Sequence, residues 1–323
     1  MMKKSYLLFI GIILLGLIGC SNATQEQTDE ADSSETEDIS SGSLLTDDAG
    51  HEVELPESPK KIIAPYLEDD LLTLGQVPIV QWSVHEGESI QHYLQEDLKD
   101  IPTIPHDLPF EVVTSYGPDL VLLSSASLAE GEKYDTYSKI APTFVIESEQ
   151  YDDWRERLKR VAEVFSEEET AKEKLAEYDQ FAEEIREEMK QEIGDESVIA
   201  LWWFDDTFYV VNEQKSSGEV LYQDLELTAP NVVEEMAADQ NENWAPLSLE
   251  LLAELDADHI FIITNKEGEA DQAFADQVFQ NIPAVKNGNV YEYSMEESWL
   301  YSGYIANTQV IDDVYESLVK QEE

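Results

Sequence analysis

The sequence predicts an α/β fold of two similar lobes joined by a single long helix, and three observations carry that expectation. Short β-rich runs alternate with amphipathic stretches beyond residue 44, the pattern of helices packed on sheets. From Glu167 to Glu192 neither Gly nor Pro interrupts a helical period, which gives a helix of roughly 40 Å at ~1.5 Å per residue. One segment also echoes another across that helix. Glu111-Val112-Val113 leads, eight residues after the Glu, to Asp119 and Leu120-Val121-Leu122-Leu123; Glu250-Leu251-Leu252 leads, also after eight, to Asp258 and His259-Ile260-Phe261-Ile262. Each reads as a short helix opening with a carboxylate and feeding a buried strand. A ligand site then belongs between the two lobes.

Taken in order, the chain starts with Met1-Met2-Lys3-Lys4 and an apolar run from Tyr6 to Ile18. A charged start before a short apolar run marks an export signal, and the run is well below the ~20 residues that span a bilayer. Leu17-Ile18-Gly19-Cys20 resembles the lipobox of bacterial lipoproteins. That resemblance implies a signal peptide over 1–19 and a diacylglycerol on the Cys20 thiol, where two acyl chains suffice for stable anchoring. Cys20 is the only cysteine, so no intramolecular disulfide forms. From Asn22 to Ser43 there are seven acids and no aromatic or basic residue, a composition that stays disordered, so 20–43 reads as a flexible acidic tether.

The N-terminal lobe is expected over 44–150, with strands at Lys61 to Ala64, Ile79 to Trp82, Leu120 to Ser124 and Thr143 to Ile146. A helical segment follows over 151–194, with apolar stripes at Trp154, Leu158, Val161 and Phe165, then at Leu175, Tyr178, Ala182, Ile185 and Met189. The C-terminal lobe is expected over 195–323, with strands at Val198 to Phe204, Phe208 to Val211 and His259 to Thr264.

Composition narrows the function. The 71 acids against 19 Lys and Arg leave a net charge of −52 over 323 residues, of which −47 falls on residues 44–323. Nucleic acid, which is held by Lys and Arg, is a poor partner for such a chain. All four arginines (Arg155, Arg157, Arg160 and Arg186) lie on the central helical segments. The five histidines show no paired ligand spacing. No Gly-x-Ser-x-Gly elbow, phosphate-cradling Gly-rich loop or Cys nucleophile suggests an enzyme.

Ordered markers then resemble the substrate-binding lipoproteins of ABC importers for ferric siderophores and cobalamin. They are Lys61-Ile62-Ile63-Ala64 with Leu71-Leu72-Thr73-Leu74-Gly75, Tyr116-Gly117-Pro118-Asp119-Leu120-Val121, Lys139-Ile140-Ala141-Pro142-Thr143, Gly218-Glu219-Val220-Leu221-Tyr222, and Ile282-Pro283-Ala284-Val285-Lys286-Asn287-Gly288-Asn289-Val290-Tyr291. The resemblance runs from about Lys60 to Val319. It implies two Rossmann-like lobes on one long helix, the class III periplasmic-binding-protein architecture. It also implies a non-enzymatic, monomeric receptor, anchored on the outer side of the cell membrane of a Gram-positive cell, that hands its cargo to a permease dimer with a cytoplasmic ATPase. A surface glutamate on each lobe docks the permease in that family, and Glu111 and Glu250 match those positions.

Loops at strand ends should line the cleft: Tyr66, Trp82, His85, Trp202 or its neighbour Trp203, Lys215, Trp299 and Tyr301. Relatives that read hydroxamates carry a Trp in the final cleft loop, matched by Trp299, and a Trp with an Arg before the Gly-Glu-Val-Leu-Tyr segment. Here that earlier stretch is Asn212-Glu213-Gln214-Lys215-Ser216-Ser217, with neither. Clustered Arg usually meets polyanionic chelates, so an Arg-poor cleft points to a neutral or cationic ligand, ferric trihydroxamates first. No cofactor is expected beyond iron held inside the ligand. A cobalamin or haem receptor of the same family, and a lipoprotein capturing Zn or Mn directly, are the competing readings.

Overall fold

The computed structural model describes residues 42–147, 153–233, 243–266 and 268–320. The signal peptide, Cys20 and nearly all of the tether lie outside the described residues. Strands β1 (Leu44–Thr46) and β2 (Glu52–Glu54) form an antiparallel hairpin. Next come β3 (Ile62–Ile63), β4 (Gln81–Ser83), β5 (Thr103–Pro105), β6 (Leu120–Leu123) and β7 (Thr143–Val145). All pairings among these are parallel, in the orders β3-β6-β7 and β4-β5. The Ile79 N–H donates to the Ile62 carbonyl at 2.9 Å and stitches the two pieces together.

The second lobe holds β8 (Val198–Phe204), β9 (Thr207–Val211), β10 (Trp244–Leu247), β11 (His259–Thr264) and β12 (Val290–Ser294) in one sheet of order β10-β9-β8-β11-β12. β8, β11 and β12 run parallel, while β9 and β10 fold back antiparallel. The internal echo is a structural repeat. In the first lobe the Lys61 carbonyl accepts the Asp119 N–H at 3.0 Å, and the Asp119 carboxylate accepts the Lys60 and Lys61 N–H groups at 2.9 and 2.8 Å. In the second, the Ser197 carbonyl accepts the Asp258 N–H at 3.1 Å and the Asp258 carboxylate accepts the Ser197 N–H at 2.9 Å. Each aspartate thus ties the entry of one strand to the entry of its parallel neighbour, Ile62 beside Leu120 and Val198 beside His259.

Between the lobes lie helix Trp154–Phe165 and the 25-residue helix Glu168–Glu192, the latter about 37 Å long. Ser166, in the left-handed region at φ 56°, turns one into the other. Their buried stripes join one apolar cluster that takes Leu122 and Phe144 from the first sheet and Ala200 and Phe261 from the second. The C-terminal helix Tyr304–Leu318 enters the same cluster through Val310, Ile311 and Val314. Helices therefore cover one face of both sheets, and the lobes share a core.

Every arginine closes an ion pair with a carboxylate. Arg155 meets Glu219 and Asp224, Arg157 meets Asp70 at 2.8 Å, Arg160 meets Asp48 at 2.8 Å, and Arg186 meets Glu226 at 3.0 Å. Acids drawn away from water are shifted by their surroundings. Burial pushes Glu68, Glu219 and Asp313 up to about 7 and Asp69 up to about 6. A carboxyl raised in the folded state favours folding below its unfolded value near 4, and that contribution is lost as pH rises through about 6 to 7. Melting followed by circular dichroism is thus expected to give a higher Tm at pH 5 than at pH 8; a Tm rising over that interval would contradict this. Self-repulsion of the −47 surface works in the same direction. At pH 8, raising NaCl from 10 mM to 1 M should lift Tm by several degrees through screening; an unchanged or falling Tm would show that the acidic coat carries no such penalty.

Candidate ligand cleft

Parallel strands bring functional side chains to their carboxyl ends. β3 runs out through Ala64 and Pro65 to Tyr66, which sits at φ 65°, is 48 % exposed, and meets the half-buried Trp82 of β4 edge-on with ring centroids 5.1 Å apart. His85 is exposed on the turn His85–Gly87 that follows β4. Tyr93 packs against Tyr301 at 4.8 Å, and both rings lie near Tyr66. Tyr66, Trp82, Tyr93 and Tyr301 therefore form one aromatic surface, three from the first lobe and one from the strap that precedes the C-terminal helix.

Beneath it lies a run that sequence reasoning passed over. Glu68, Asp69 and Asp70 open the helix Glu68–Thr73 and are all buried. Glu68 Oε1 accepts the Trp82 N–H at 2.6 Å, whereas Oε2 has no partner, consistent with a carboxyl that burial pushes to about 7. Asp69 accepts the Tyr93 hydroxyl at 3.2 Å and the N–H groups of Ile305 and Ala306 at 3.1 and 3.0 Å. Asp70 holds Arg157, which also donates to the Ser302 carbonyl at 2.8 Å. These acids open the Leu71-to-Gly75 marker, but three acids in a chain with 71 gave no contrast.

The second lobe carries an aromatic group of its own. Alternation along β8 sends Ile199, Leu201 and Trp203 into the outer core and Trp202 to the opposite face, which separates the two neighbouring tryptophans. Trp202 packs with Phe204, Tyr209 and Trp244 at 5.3, 5.4 and 6.4 Å. The indole N–H groups of Trp202 and Trp244 are buried without an acceptor among the described residues, a costly state. Trp244 was not among the sequence candidates because β10 carries a Pro246 and was not read as a strand. Lys215 is half-buried in the loop after β9, and its neighbour Ser216 lies 3.1 Å from both the Trp299 and Tyr301 carbonyls, to which its hydroxyl donates. That contact fixes the strap to the loop.

Trp299 is a correction. It has no exposed surface, stacks on Phe261 at 4.9 Å and Tyr293 at 5.0 Å, and donates its indole N–H to Asp313 at 2.9 Å. The turn Ser298–Leu300 puts Trp299 into the core and leaves the half-buried Tyr301 to meet Tyr93. Tyr301, not Trp299, is the aromatic this strap offers. The expectation of arginine-free cleft walls also needs refining, because Arg157 reaches beneath Tyr66 and Tyr93. Its charge is matched by Asp70.

Away from the cleft, Glu111 is the second residue of helix Phe110–Tyr116 and Glu250 the second of Leu249–Ala253, both exposed and at equivalent places in the repeat. Leu249 and Leu251, 62 and 39 % exposed, flank Glu250. Among the described residues no three His, Cys, Asp or Glu side chains converge as a metal site. His51 is held by Asp47 at 2.9 Å and stacks on Tyr134, and His259 is held by Glu196 at 2.7 Å. No helix among the described residues is long and apolar enough to cross a membrane.

A family model described as periplasmic binding protein matches residues 69–296, most of the chain. The chain belongs to that family. The iron(3+)-hydroxamate-binding protein FhuD of Bacillus subtilis is 26 % identical over 295 residues, covering 90 % of each chain. The probable siderophore-binding lipoprotein YfiY of the same organism is 24 % identical and covers 97 % of this chain and 98 % of its own. Among solved structures, Staphylococcus aureus FhuD2 with bound ferrioxamine B superposes with a TM-score of 0.67 at 21 % identity, covering 80 % of this chain and 98 % of that one. S. aureus SirA complexed with staphyloferrin B gives 0.68 at 23 % identity, with 85 and 98 % covered. These structures establish the class III fold of the periplasmic binding protein, with its two lobes, and the family is one of substrate-binding proteins.

Proposed function

We propose that the protein is an extracytoplasmic receptor that takes a ferric siderophore, neutral or cationic and of the hydroxamate class, into the cleft between its aromatic walls and presents it to an ABC permease. The observation that carries this reading is the aromatic surface of Tyr66, Trp82, Tyr93 and Tyr301 in a molecule whose arginines are all matched to carboxylates. Such walls offer rigid apolar area and neutral hydrogen-bond donors. They offer no guanidinium fork for a polyanion. The relatives named for ferric hydroxamate and siderophore binding support the substrate class.

Tyr66, Trp82, His85, Trp202, Lys215 and Tyr301 are the proposed ligand residues, with Tyr93 and Trp244 added on geometry. Iron enters only inside the chelate, and the protein performs no chemistry on it. Cys20 carries the lipid anchor that holds a monomer at the outer face of the membrane, and Glu111 and Glu250 meet the permease. Titration with ferrioxamine or ferrichrome, watched by intrinsic Trp fluorescence, is expected to give saturable 1:1 quenching. Trp202→Ala or Tyr301→Ala should weaken binding about tenfold or more, the scale of a lost aromatic contact and its hydrogen bond. A protein that answers only cobalamin or haem would move the reading to those ligands; silence toward all of them would end it.

A further inference from the structure

The C-terminal helix begins without a cap of its own. Gly303 is its N-cap residue and has no side chain, yet a 15-residue helix exposes unpaired N–H groups and a positive dipole end there. The capping carboxylate comes from the other lobe: Asp69 accepts the N–H groups of Ile305 and Ala306. Packing enforces the match, because a Cβ on Gly303 would lie 2.5 Å from the Asp69 Cγ. Asp69 simultaneously accepts the Tyr93 hydroxyl, and Tyr93 packs on Tyr301 in the strap just before the helix. One carboxylate thus touches the helix that ends the strap and the first-lobe ring against which the strap's tyrosine rests.

We propose that Asp69 is a positioning residue for the ligand cleft: it latches the strap of the second lobe to the first lobe and so sets the Tyr93–Tyr301 surface that meets the ligand. The proposal rests on the cleft being the ligand site. The charged and titratable groups facing Asp69 are Asp70 on its own helix, Arg157 from helix Trp154–Phe165, and Tyr93; Glu68 is adjacent in the chain, and Tyr66 and Tyr301 face Tyr93. The capping N–H groups face it from the C-terminal helix and favour the charged carboxylate, while burial and Asp70 oppose it and leave Asp69 titrating at about 6.

Three variants test this. Asp69→Asn keeps the shape but puts an N–H group against a donor. Gly303→Ala drives a methyl into the carboxylate. Asp69→Ala with Gly303→Ser gives the helix a local serine cap without restoring the bond between lobes. Amide exchange in the full chain, read without ligand, should speed up at Ile305 and Ala306 in the two single variants and return toward wild type in the double variant. Affinity for ferrioxamine should fall about tenfold in all three, the scale of a lost charge-assisted hydrogen bond. Unchanged exchange at Ile305 and Ala306 in Asp69→Asn would overturn the latch. So would recovery of affinity by the local serine cap, which would make Asp69 a helix cap and nothing more. If the wild type binds no ferric chelate, the receptor reading fails, and exchange still decides whether the latch exists.

Discussion

Reversing both proposed docking charges, Glu111→Lys with Glu250→Lys, is expected to abolish uptake of the ferric chelate into cells while leaving its dissociation constant unchanged. Both residues are exposed on the first turns of short helices and occupy equivalent places in the internal repeat. The lobes repeat the same device, an aspartate that ties two strand entries together, so a partner with two equivalent subunits would meet the same kind of surface twice. Neither glutamate has an ion-pair partner among the described residues, so reversal breaks no ion pair there. Each single variant should give partial uptake, and the flanking Leu249 and Leu251 should make the Glu250 side the more sensitive. Uptake is read as cell-associated iron, and affinity as fluorescence quenching of the purified variant. Lost affinity would move these residues out of the docking role.

Removing Arg155 is expected to cost about 3–5 kcal/mol of folding stability, the range for breaking a buried ion pair from one side. Its guanidinium joins Glu219 and Asp224, both nearly buried, and lies over the rings of Trp154 and Tyr178 at 4.7 and 5.1 Å. The Tyr178 hydroxyl donates to Asp224 at 2.6 Å and completes the cluster. Arg155→Met retains much of the side chain's apolar stem but leaves two carboxylates unmatched. Because burial already raises Glu219 to about 7 and raises Asp224 as well, these acids take up protons more readily at pH 5, and the loss should be smaller there than at pH 7.5. Urea denaturation at both pH values checks the sign. An equal loss at both would place the effect in packing rather than charge.

Much of the architecture was legible because it rests on periodicity. The stripe Leu175, Tyr178, Ala182, Ile185 and Met189 is the buried face of the long helix residue for residue, and β8 and β11 run where their apolar runs do. Strands β1, β2, β5, β10 and β12 were missed; β1 and β2 are three-residue runs that pair only with each other. β5 and β10 contain proline, and β12 is only half-buried along its length, so neither propensity nor alternation marked them. Among the proposed ligand residues, aromatic type marked Tyr66, Trp82, Trp202 and Tyr301 but could not separate inward from outward neighbours. Trp299 went to the core because Asp313, one turn of a later helix away in space, accepts its N–H. Asp69 was invisible for another reason: its partners, Tyr93, Ile305 and Ala306, are distant in sequence, and its own residue type is the commonest kind of background in this chain.

The central claim is that the cleft selects ferric chelates by charge. Its most direct measurement is the ratio of dissociation constants for ferrioxamine, a cationic trihydroxamate, and an anionic ferric tricatecholate, taken by competition on one preparation in ordinary salt. Ferrioxamine is expected to bind at least about a hundredfold more tightly, since the negative field and the carboxylate-matched arginines both disfavour the anion. A tricatecholate that binds as tightly, or more so, would contradict it.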